Sequence, residues 1–201
     1  MRRVGPRSRP LAAGGIVGPV AFVSAWIGCG LATNGYSAVR NAISDLARIG
    51  APTRAAMTLG FVVFGVAVPV YAIALRGTLA GRAWIAAVVC GISTLGVALV
   101  PLGRGTDALH GFFASVGYVA IAATPALASA PLRRAGRARW ATVSLVAAGV
   151  SAVCLALTVA GPAHGLFQRA GLAAGDAWIV ASAVAILAGA DLRDPSERPA
   201  P

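Results

Sequence analysis

Six apolar runs, each about 20 residues long, occupy most of this 201-residue chain, and the stretches between them are short. A run of that length crosses a hydrocarbon core as an α-helix, in which the backbone N–H and C=O groups are satisfied within the segment. Few folds remain open to such a chain. With 58% hydrophobic and 11% charged residues, and a mean hydropathy of +0.79, it carries more apolar surface than a small domain hides from water. The expectation is an all-α polytopic membrane protein, a six-transmembrane-helix bundle, with spans at 11–31, 55–75, 83–102, 108–130, 140–160 and 172–190. Residues 1–10 form a basic amino terminus, and 191–201 a polar, proline-bearing tail with no hydrophobic pattern to fold on.

The connections are of two kinds. Met1–Pro10, Arg76–Arg82 and Pro131–Arg139 carry little charge besides arginine. The alternate ones, Asn34–Arg54, Arg104–His110 and Gly161–Gly171, carry acids, amides and both histidines. With six spans the two kinds fall on opposite sides, 12 arginines on one and 5 on the other. The excess of positive charge places the arginine-rich side, with both termini, in the cytoplasm, and the mixed connections outside. This distribution accounts for the net charge of +11 without nucleic acid, because no basic helix face is left over. The expected partner is the lipid bilayer, with homo-oligomerisation left open. The amino terminus resembles a signal peptide, but its apolar run is too long and no small-x-small cleavage site follows, so it reads as a retained first helix.

Within the spans, Gly14 and Gly18 form a small-xxx-small pair that allows close helix approach, and Pro19, Pro69 and Pro125 each remove a helical hydrogen bond. Cys29, Cys90 and Cys154 stand at no metal-ligand spacing and read as small apolar filler. Cys29 and Cys154 fall near the outer ends of their spans, close enough in depth for a disulfide.

The chemistry lies on the mixed side. In the first outer connection, Ser37, Asn41, Ser44 or Asp45, and Arg48 recur at helical spacing opposite Ala42, Leu46 and Ile49, which predicts a short amphipathic helix lying in the interface. Asp107 and His110, at i and i+3, share a face at the start of the fourth span, where a carboxylate can orient an imidazole. His164, Gln168 and Arg169 precede the sixth span, and Asp176 lies within it. An acid inside a span is expensive unless paired or facing a cavity, and a structural ion pair between Arg169 and Asp176, seven residues apart, is the economical expectation. Asp107, His110 and His164 are the candidate metal ligands, with Asp45 as base or further ligand. These groups suit zinc, although no H-x-x-x-H or H-E-x-x-H spacing is present. The motif H-G-φ-F-x-x-x-G occurs twice, at His110–Gly117 and His164–Gly171, and suggests a repeated hairpin.

The run Tyr36–Ala47 (YSAVRNAISDLA), His110 at the start of the fourth span, and Gly165-Leu-Phe-Gln-Arg169 resemble the bacterial six-span membrane-protein family called domain of unknown function 998. This chain has Ala47 where that signature usually carries glycine. The resemblance implies topology and the place of a site, with the bacterial cytoplasmic membrane as location, and no activity. More distantly, polar residues at span ends are similar to those of the membrane hydrolases that include alkaline ceramidases. Those use a serine, an aspartate and three histidines around zinc, whereas this chain has two histidines.

Three functions follow as expectations. The first is an outward-facing polar pocket for a small polar ligand or lipid headgroup, built from Asn41, Ser44, Asp45, Asp107, His110, His164, Gln168 and Arg169. The second is metal-assisted hydrolysis or transfer on an amphiphilic substrate. The third is a small transporter, for which the spans offer no charged residues near their centres.

Overall fold

A computed structural model describes residues 9–103, 105–159, 161–190 and 192. Most of the basic amino terminus (1–8), Arg104, Ala160 and the polar tail apart from Leu192 lie outside the described residues. The described chain is helical: α1 (Gly14–Ala32) extends a 3-10 turn at Arg9–Ala13, and α2 (Arg54–Thr78), α3 (Ala83–Leu99), α4 (Asp107–Arg134), α5 (Ala138–Leu157) and α6 (His164–Leu187) follow. The segment from Arg9 to Ala32 and helices α2, α4, α5 and α6 are five segments long and apolar enough to cross a membrane; α3, with 17 residues, is shorter. Branched apolar side chains such as Leu59, Val119 and Val153 stand more than half exposed on the bundle surface, a burden in water and a match for lipid tails.

Consecutive helices pack on one another, and α6 closes the ring against α1 while also touching α2 and α4. Small residues set the approach. A Cβ on Gly65 or Gly91 would come within 3.0 Å of the other's carbonyl oxygen, so α2 and α3 meet backbone to backbone. The expected Gly14/Gly18 face is packed on α2, against Ala67 and Val68. The three mixed connections gather at one end. The Ile49 N–H donates to Leu102 O (3.0 Å), and the Leu166 N–H donates to Val39 O (3.0 Å). At the opposite end the Leu192 N–H donates to Thr78 O (3.1 Å), and Gly81 packs near Pro131.

Two expectations of local structure are corrected. Helix α6 begins at His164, eight residues before the expected start of its span. Gln168 and Arg169 read as loop because they are polar, yet both are buried and hydrogen-bonded to the first connection, which replaces the water that polarity had implied. The amphipathic helix expected in the interface is a short 3-10 turn, Ile43–Ala47, whose Ile43, Ser44, Leu46 and Ala47 are buried against the bundle. The segment dips inward as a plug. Gly35 and Gly50, at φ of +75° and +87°, supply the reversals on either side that few other residues adopt. The two H-G-φ-F motifs are also not equivalent, since Gly111 faces open space and Gly165 packs on backbone carbonyls.

Candidate functional site: a locked plug over a small, mostly apolar chamber

The plug is held from α6. Arg169 Nη1 donates to Ala38 O (2.8 Å), Asn41 O (3.0 Å) and Gly165 O (2.8 Å), and Nη2 donates to the Tyr36 hydroxyl. That hydroxyl in turn donates to Ala42 O (3.0 Å). The guanidinium lies over the Trp26 ring at 5.2 Å and the Tyr36 ring at 5.5 Å, so its charge is met by carbonyl dipoles and π faces. Burial pushes the Tyr36 hydroxyl above its ordinary pKa, against the opposing pull of Arg169, which keeps Tyr36 a neutral donor. Gly165 allows the approach, for a Cβ there would meet Asn41 O and come within 2.8 Å of Ala38 O. One helical turn of α6 thus supplies the cation, the gap and, at Gln168, the next tie.

Gln168 faces both ways. Its Oε1 accepts from the Ile43 N–H at the tip of the plug (2.8 Å), and its Nε2 donates to the Tyr118 hydroxyl on α4. Beneath lies a chamber of about 50 Å³. Ile43 and Ser44 contribute to its lining, as do Thr94, Tyr118, Gln168 and Asp176, with Phe22, Phe61, Phe64 and Phe113 among its aromatic residues. At about 10–15 Å³ per water, it has room for a few waters or one small group. Asp176 is 4% exposed, and neither carboxylate oxygen has a hydrogen-bond partner.

The other expected site residues are placed as follows. Asn41 Oδ1 accepts from the Ser37 N–H (2.8 Å), closing its own loop. Asp45 accepts from the Ala42 N–H (3.1 Å) and from Arg48 (3.1 Å), within the connection. Asp107 accepts from the Gly103 N–H (2.8 Å). His110 Nδ1 lies 2.6 Å from Val100 O, so Nδ1 carries the proton, and its buried Nε2 has no partner. His164 opens α6, half-buried. Only Ser44 and Gln168 of the eight pocket candidates line the chamber.

Three corrections follow. The expected Arg169–Asp176 ion pair is not formed: the guanidinium is engaged with the plug and the carboxylate is unpartnered. Side chains on a helix lean toward its amino terminus, so Arg169 reaches away from Asp176, which lies two turns further on. The expected metal set of Asp107, His110 and His164 does not assemble, for among the described residues no three His, Cys, Asp or Glu side chains group at metal-binding distance. The Asp107 and His110 side chains instead engage the backbone at 100–103. Cys29 and Cys154 are free thiols.

Sequence reasoning missed the chamber, including Tyr118, Thr94 and the four phenylalanines. Its one available signal was an acid inside a span, at Asp176. Residues 16–185 match a family model described as protein of unknown function (DUF998), and the chain belongs to that family. No curated protein and no solved structure matches it.

Proposed function

We propose that this DUF998 protein is a six-span protein of the bacterial cytoplasmic membrane that binds a small polar ligand or headgroup in the chamber beneath its first outer connection. The third span is α3, whose 17 residues reach about 26 Å, at the short end of the range that crosses a bilayer. The arginine-rich end of the bundle lies in the cytoplasm on this reading, which the excess of arginine there supports.

The observation that carries the binding reading is the Asp176 carboxylate, buried, unpartnered and bordering a cavity. Buried polar groups are nearly all hydrogen-bonded, and an acid inside a span is costly. This chain owns a cation within two turns and commits it elsewhere, which leaves Asp176 for a partner that comes and goes. The Tyr118 hydroxyl, the Gln168 amide and Ser44 supply hydrogen-bonding groups around it.

The test is a thermal-shift screen of small polar compounds on the purified protein, repeated on Asp176→Asn. Hits on the wild-type protein are expected to lose at least ten-fold in affinity in a variant that unfolds no earlier. Hits that bind Asp176→Asn unchanged would refute the reading.

A further inference from the structure

Asp176 borders a second space. On the flank where α6 closes on α1, an open groove of about 270 Å³ is lined by Pro19, Val20, Val23 and Ser24 from α1, and by Ala173, Asp176, Ala177 and Val180 from α6. Its rim residues Val20, Ser24, Ala173 and Ala177 are exposed on the lipid-facing surface. The α6 residues facing the chamber are Gln168, Leu172 and Asp176, one turn apart, while Ala173, Ala177 and Val180 turn to the groove. Asp176 is the residue common to both spaces.

Resting on the chamber reading above, we propose that the ligand is a single-chain amphiphile with a primary ammonium head, reaching Asp176 from the bilayer through the α1–α6 groove. Three features converge on this class. The Asp176 carboxyl has no counter-charge among the described residues, so a cation is the partner that would let it ionise away from water. The chamber is walled by phenylalanines and Tyr118, whose π faces attract a cation and repel an anion. The sizes of the two spaces divide the ligand: about 50 Å³ admits a compact ammonium head, and the apolar groove of about 270 Å³ takes the chain. The small side chains of Ala173 and Ala177 leave little between the groove and Asp176 for a ligand to displace, and the plug tied by Arg169 covers the chamber on the side of the first connection.

The experiment uses the full chain in phosphatidylcholine nanodiscs, with dodecylamine, dodecanol and methylammonium as probes, read by native mass spectrometry and by the shift in unfolding midpoint. Dodecylamine is expected to bind once per chain and raise the midpoint saturably, with dodecanol at least ten-fold weaker. Asp176→Asn is expected to abolish the preference for the amine. Ala177→Phe, which fills the groove without touching the carboxylate, is expected to weaken dodecylamine at least ten-fold and leave methylammonium unchanged. Equal binding of amine and alcohol, or dodecylamine binding indifferent to Asp176→Asn, overturns the proposal. Asp176-dependent binding of methylammonium with no gain from the alkyl chain overturns the lateral route while leaving the chamber reading intact. Asp176-independent behaviour of all three probes overturns the ammonium assignment, and the polar screen then decides whether the chamber itself binds.

Discussion

Arg169 and Asp176 sit two turns apart on one helix, both buried and both ionisable, and their surroundings are opposite. Around Arg169, three carbonyls, a tyrosine hydroxyl and two aromatic rings converge on one guanidinium. Around Asp176, neither oxygen finds a partner among the described residues, and none of their cationic side chains lines the adjacent space. The first arrangement is what a structural charge requires, since an ion kept from water persists only when most of its bonds are replaced, and of this guanidinium Nε alone is left without a partner. The second is what a structure avoids unless the group is needed for something else. The same helix therefore ties down the first connection with one residue and, on the reading proposed above, offers a binding group with the other.

The contrast can be broken most forcefully at Arg169. Arg169→Met removes the side-chain ties from α6 to Tyr36, Ala38 and Asn41 and strands the two carbonyls, and should destabilise by about 3–5 kcal/mol. Thermal unfolding in detergent micelles measures the loss, and amide exchange should show residues 36–47 opening first. Gly165→Ala probes the same contact by crowding, because its methyl would press on Asn41 O and Ala38 O. Its expected cost is about 1–3 kcal/mol, with the plug again the first segment to exchange. The smallest effect belongs to Asp45→Ala. Its contacts stay within the exposed side of the connection, so a loss of about 0.5–1 kcal/mol by the same unfolding assay is expected. A larger loss there would mean that the plug is held from outside as well as from α6.

Much of the fold was legible because hydropathy reports burial in lipid directly. The apolar runs at 55–75 and 83–102 coincide with helices α2 and α3 to within a few residues. What escaped depends on partners far along the chain. Gln168 and Arg169 look like loop residues until the Ile43 N–H and the Ala38 and Asn41 carbonyls, more than 120 positions earlier, are brought to them. The helical spacing of Ser37, Asn41 and Arg48 was real as a pattern, but Ile43 and Leu46 found deeper burial in the bundle than an interfacial helix offers. Asp176 was singled out by its position in a span, and was given the wrong partner because sequence separation says nothing of which way an arginine reaches.

The most direct measurement compares unfolding free energies of Arg169→Met and Asp176→Leu in the same micelles. If Asp176 is held unpaired for a ligand, replacing it with an apolar side chain of similar size relieves a buried polar cost, so stability should stay level or rise by about 1–3 kcal/mol. Arg169→Met should fall by about 3–5 kcal/mol in the same assay. A loss of several kcal/mol in both variants would make Asp176 a structural residue and contradict the account.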